Sequence, residues 1–97
     1  MPAYVMLMNL TEQGVKAVKD APARIQASVK AFEAVGGKVI AFYATMGEYD
    51  YVSIGEAPSD EVASAFALAL AGQGHVRTKT LRAFTPEQFA GIVKRLP

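Results

Sequence analysis

The first apolar run, Tyr4 to Leu10, is apolar on both of its alternating sets, 4, 6, 8, 10 and 5, 7, as a strand covered on both faces requires. It is predicted to lie at the centre of a sheet, with Asn9 hydrogen-bonded at the strand end. Thr11 is an N-cap candidate, and Val15 and Val18 follow at helical spacing before Pro22, which a helix interior does not accommodate. The spacing predicts a short helix, a break near Asp20-Ala21, and a longer helix with Pro22 in its first turn. That helix carries Ile25, Val29, Phe32 and Val35 inward and is stopped by Gly36-Gly37. Lys38 to Thr45 reads as a strand with Val39, Ala41, Tyr43 and Thr45 on one face and Ile40, Phe42 and Ala44 on the other. Gly47 takes a positive φ without steric cost, so the chain is expected to reverse at Met46-Gly47-Glu48. It returns as a strand in which Tyr51, Ser53 and Gly55 alternate with Asp50, Val52, Ile54 and Glu56.

Glu56-Ala57-Pro58 leaves the sheet, and Ser59, with Asp60 and Glu61 behind it, starts a helix that runs to Gly72. Val62, Phe66 and Leu70 form its apolar stripe, and alanines at 63, 65, 67, 69 and 71 allow close approach to a sheet. Gly72 and Gly74 end it. Val76 to Phe84 alternates as a half-exposed edge strand on which Arg77 and Lys79 discourage edge-to-edge pairing. Thr85-Pro86-Glu87-Gln88 is a capping box with proline at the first helical position, and Phe89, Ile92, Val93 and Leu96 form a stripe at helical spacing. A short C-terminal helix is expected to close the chain.

The order β-α-β-β-α-β followed by a helix is the ferredoxin-like pattern, an α+β fold with a four-stranded antiparallel sheet. Two main helices cover one side of such a sheet, yet the first strand is apolar on both faces. A second copy of the chain is the simplest cover for the other side, giving a dimeric α+β barrel.

The 97 residues suit one domain spanning 1–97, and 52% hydrophobic with 20% charged residues describes a compact soluble chain. No apolar run approaches about 20 residues, and Met1-Pro2-Ala3-Tyr4 enters strand-like sequence without a secretory pattern, so the cytoplasm is the expected compartment. The absence of cysteine removes disulfides, thiol nucleophiles and thiolate metal sites, and a single histidine, His75, removes a His-cluster metal site within one chain. No metal and no cofactor is expected. A net charge of +1 gives no field to steer polyanions, so nucleic acid is not an expected partner.

Hydroxyls and a carboxylate gather around the glycine bend. Tyr43, Thr45, Tyr49 and Asp50, together with Arg24, are the candidate ligand-binding residues; Arg24 stands in the first turn of its helix, where a cation is mildly unfavourable. Asp50 as a base with Tyr43 or Tyr49 as proton donor would suit enolisation of a carbonyl compound or capture of a phenolic ligand. The structural alternative has Asp50 capping the hairpin or pairing with Arg24 and the tyrosines filling the core. His75, the one residue of a type suited to acid-base work near neutral pH, is a further acid-base candidate, expected as an exposed loop residue after Gly74. Pro2 would be an N-terminal amine base only if Met1 were removed, and nothing else in the chain matches tautomerases.

Gly47, Tyr49 and Asp50 within Gly-Glu-Tyr-Asp, with Tyr4, Thr11, Gly14, Arg24, Gly36-Gly37, Phe42-Tyr43, Thr45, Glu56-Ala57-Pro58, Gly74, Val76-Arg77 and Thr80-Leu81-Arg82-Ala83-Phe84, resemble the GYD-domain family over nearly the whole chain. His75 stands where the resemblance implies asparagine. The resemblance implies a ferredoxin-like domain that dimerises as an α+β barrel. The expectation for function is a small cytoplasmic homo-oligomeric domain that binds a small aromatic or carbonyl-containing molecule near Tyr43 and Asp50. The alternatives are a cofactor-free isomerase or monooxygenase-like enzyme using the same residues, and a purely structural or protein-interaction module.

Overall fold

Local signals set the element boundaries in the computed structural model, which describes residues Met1–Pro97. Strand β1 (Ala3–Leu10) ends at Thr11, whose side chain accepts the Gly14 N–H and starts the one-turn helix α1 (Glu12–Lys16). A 3₁₀ turn over Val18–Asp20 makes the break that Pro22 demands, and α2 (Ala21–Ala34) follows with proline in its first turn. Strands β2 (Lys38–Ala44) and β3 (Tyr51–Glu56) flank the Gly47 bend. Ser59 caps α3 (Asp60–Gly72) by accepting the Val62 N–H, β4 (Val76–Ala83) returns to the sheet, and α4 (Pro86–Val93) begins on the Thr85–Gln88 capping box.

The sheet order is β2-β3-β1-β4, with every neighbouring pair antiparallel, which is the ferredoxin-like arrangement. β1 is central, as its two-sided apolarity required. Register and strand alternation put Tyr4, Met6, Met8, Phe42, Tyr51 and Ser53 on the face beneath α2 and α3. Val5, Leu7, Val52, Ile54, Leu81 and Tyr43 lie on the opposite face, which no helix of the chain covers.

Three details depart from the sequence-based expectation. β2 carries a bulge between Val39 and Ala41, so the extra residue, Ile40, is 54% exposed and Val39 joins Phe42 on the helix side, where it packs against the core. Val35 is half exposed rather than inward. The third is the setting of the C-terminal helix: it ends the chain as expected, but every residue from Phe84 to Pro97 is exposed, the apolar stripe included.

The core is small. Tyr4, Phe32, Ala57 and Ala63 form its centre, with Val39, Val62 and Phe66 against it, and the Phe32 and Phe66 rings tilt together at 4.8 Å between centroids. Ala63 lets α3 settle against the sheet. A compact protein of this mass exposes about 5,400 Å²; this chain exposes 6668 Å². The radius of gyration is 14.7 Å, against about 12.5 Å for a globule of this length.

Candidate functional site

The glycine bend is held by hydrogen bonds from every side. Gly47 has φ 101°, which only glycine adopts at no cost, and Thr45 N–H donates to Asp50 O at 2.8 Å across the loop. Thr45 Oγ1 donates to Tyr49 O. The loop is then tied to the central strand. Asp50 N–H donates to Met8 O at 2.9 Å, Asn9 Nδ2 donates to Glu48 O at 2.7 Å, and Asp50 Oδ2 accepts the Leu10 N–H at 2.8 Å. Asp50 therefore takes the place of a ladder carbonyl where β3 has run out, and does not pair with Arg24.

The candidates divide between the two sides of the sheet. Tyr43, 64% exposed, stands opposite Val52 on the uncovered face, and the Tyr49 ring lies 5.7 Å from Lys79 Nζ, whose strand position opposite Leu7 is on that same face. That face has an apolar centre of Val5, Leu7, Val52, Ile54 and Leu81 and a rim of Tyr43, Tyr49, Arg77 and Lys79. The face thus has an apolar middle with an aromatic and cationic edge.

Arg24 and His75 are on the other side. Both line a cavity of about 110 Å³ between the sheet and the helices, walled by Tyr4, Met6, Met8, Ile25, Phe32 and Phe66 and including none of Tyr43, Thr45, Tyr49 or Asp50. Sequence position suggested an exposed His75; the residue is half-buried, and its Nδ1 is shielded from solvent without a hydrogen-bond partner. Its backbone is pinned from α1. Its carbonyl accepts the Thr11 N–H at 3.0 Å, Thr11 Oγ1 donates to the neighbouring Gly74 O at 2.6 Å, and a Cβ on Gly14 would fall 2.1 Å from His75 O. Arg24 Nη1 donates to Ala17 O at 3.0 Å and the guanidinium has no carboxylate partner.

At the cavity's far end the Tyr4 hydroxyl donates to Asp60 Oδ1 at 2.5 Å, and Arg82 Nε stands 3.8 Å from the same oxygen. Burial and then this bond to a carboxylate push the Tyr4 phenol from 10.0 up to about 12. A neutral tyrosine held this way is a structural group. No three His, Cys, Asp or Glu side chains converge to hold a metal ion, and no helix is long and apolar enough to cross a membrane.

Sequence reasoning missed two features. One is the cavity with the groove beside it between α2 and α3, which is lined by Ala27, Ala31, Ala65 and Ala69; alanine stubs on both helices are the signal that could have found the groove. The detached arm is the other. Phe84, Phe89, Ile92, Val93 and Leu96 are 40–69% exposed along it, with Arg82 stacked 4.8 Å from the Phe84 ring at its root.

A solved structure, that of TTHA0845 from Thermus thermophilus, superposes with a TM-score of 0.55 at 24% identity, over 88% of this chain and 95% of that one, a likeness of fold. A relative from the same organism, named glutamine synthetase and cystathionine beta-lyase binding protein, is 36% identical over 97 residues, covering 99% of both chains. The profile of the GYD domain matches residues 4–93. The chain, with Gly47, Tyr49 and Asp50 forming the bend that fastens its hairpin to the central strand, belongs to the GYD-domain family.

Proposed function

We propose that the chain is a non-catalytic, cytoplasmic protein-binding module that pairs with a second copy through its uncovered sheet face and docks through α4 onto an enzyme of amino-acid metabolism. One observation carries the reading. The chain exposes 6668 Å², a surplus of about 1,300 Å² over a compact monomer and more than the roughly 800 Å² that each partner contributes to a standard interface. Exposed large apolar side chains mark two surfaces, Tyr43, Ile54 and Leu81 on the uncovered face and Phe84, Phe89, Ile92, Val93 and Leu96 along the arm. The face suits a self-complementary twofold contact, because its apolar centre is continuous and its charges are peripheral. The arm suits a groove on another protein: Phe89, Ile92 and Val93 are anchors at i, i+3 and i+4, the spacing of an amphipathic helix laid into a hydrophobic cleft, and Leu96 follows just past the helix end.

The name of the Thermus relative supports a protein partner and suggests which to try, glutamine synthetase and cystathionine beta-lyase of the same organism as this chain. The reading in which Tyr43, Thr45, Tyr49, Asp50 and Arg24 jointly bind an aromatic or carbonyl compound, or act on it as an isomerase or monooxygenase, has weaker support. Arg24 is across the sheet from Tyr43, and Thr45 Oγ1 and Asp50 Oδ2 are already hydrogen-bonded. The test is biolayer interferometry of each immobilised enzyme against the wild-type chain and a Phe89→Glu/Ile92→Glu variant. Saturable binding that the double substitution weakens by at least about a hundredfold, some 2.7 kcal/mol, is expected. Absence of binding to both enzymes, or equal binding of the variant, would refute the reading.

A further inference from the structure

We propose that the cavity beneath α2 and α3 is a binding site for a small organic acid, its ring or branched carbon body inside and its carboxylate met by Arg24 and His75. Three observations converge. The first is the void itself: its volume of about 110 Å³ is close to that of engineered apolar cavities, on the order of 150 Å³, that take up benzene. Its walls are mostly apolar, with Met6 and Met8 able to adapt to the shape of an occupant.

The second is the polar complement of those walls. Arg24 is half-buried, has one backbone hydrogen bond and no carboxylate partner, and no Asp or Glu lines the cavity. An uncompensated guanidinium in a partly desolvated wall selects an anion, and its planar fork matches a carboxylate. His75 Nδ1 is buried without a partner. Such an atom forfeits about 1–3 kcal/mol until something bonds to it, and as an N–H donor it supplies the second contact to the same carboxylate. Ser28 and Thr80 add hydroxyls to the wall.

The third is a way in. The groove between α2 and α3 shares Arg24, Ser28, Phe66 and Leu70 with the cavity, so the alanine-lined gap opens onto it and Arg24 stands where inside meets outside. Entry of the carbon body first leaves the acid group at that cation. The His75 backbone, hydrogen-bonded by Thr11 and lying against Gly14, fixes the residue's place in the wall before the acid arrives. None of this uses the uncovered face or the arm, so the site and the protein contacts stand or fall separately.

The experiment is a titration of the full-length chain, followed by amide and His75 side-chain NMR, with benzoate, 3-methylbutanoate and, as neutral control, benzamide. The expected result is saturable shifts confined to α2, α3, Met6, Met8 and His75, with at least one acid binding below about 1 mM and benzamide at least tenfold more weakly. Arg24→Gln should erase the preference for benzoate over benzamide while both still bind. Ser28→Leu, which fills the void from within, should remove both, and its spectrum reports independently that the fold is intact. Shifts at other surfaces only, equal affinity for benzoate and benzamide, or no saturation by either acid would overturn the proposal.

Discussion

The Asp50 carboxylate accepts the backbone N–H of Leu10 at 2.8 Å, joining the bend between β2 and β3 to the end of the central strand forty residues away in sequence. Gly47 makes the bend and Asp50 anchors it, so the acid that looked most like a catalytic base closes a ladder of hydrogen bonds. Asp50→Ala leaves the Leu10 N–H without that acceptor and should destabilise the fold by about 1–3 kcal/mol. Asp50→Asn keeps an acceptor oxygen and loses only the charge assistance, so it should cost about half as much. Urea unfolding measures both; a catalytic or ligand-binding Asp50 would give the opposite pattern, with stability unchanged.

Gly14→Ala should be among the most damaging small substitutions in the chain. The added methyl would sit 2.1 Å from His75 O, so α1 must pull away from the start of β4, at a cost of about 1–3 kcal/mol or more. Gly72→Ala provides the contrast, because its Cβ meets open space and a helical alanine replaces glycine with a gain of up to roughly 1 kcal/mol. Thermal unfolding of the two variants should therefore move in opposite directions.

Alkaline stability should report Tyr4. Its phenol is raised to about 12 in the fold from 10.0, by burial and then by the bond to Asp60. The folded state favours the protonated phenol, so the contribution is fully present below pH 10.0 and is lost as the pH rises towards 12. Denaturant midpoints measured across that window should fall for the wild type. Tyr4→Phe, which has no proton to lose, should lack that component of the fall and cost about 1 kcal/mol at neutral pH.

Pairing through the uncovered face can be read as mass. The wild type should elute and scatter as twice its 10.3 kDa, while Ile54→Lys/Leu81→Glu, two charges set into the apolar centre of that face, should give the single-chain mass with unchanged helix content. A monomeric wild type at micromolar concentration would remove the pairing and leave the face to another partner.

Much of the fold was legible because periodicity and caps act locally. The two-sided apolarity of Tyr4–Leu10 set β1 at the centre, Pro22 set the break before α2, and Thr85–Gln88 set the start of α4. The bulge at Ile40 was not legible, since it depends on how β2 is registered against β3 and not on its own alternation. The same holds for His75 and Arg24, which meet at one cavity only through tertiary packing of α1, α2 and β4. Tyr43 and Asp50 are close in sequence, yet one looks out from the sheet face and the other is fastened to β1; neighbourhood around a turn did not amount to a shared pocket. The stripe of α4 is plain in the sequence, but its pattern contains nothing to say whether the surface that covers it is in the same chain.

Hydrogen exchange of the chain alone and at saturation with whichever enzyme it binds tests the use of its exposed apolar surface most directly. Residues 86–96 should exchange freely in the chain alone and become protected in the complex, while β1 and β3 should be equally protected in both. Protection that leaves 86–96 untouched and appears instead over α2 and α3, or over the sheet face, would contradict the assignment of the arm as the docking element.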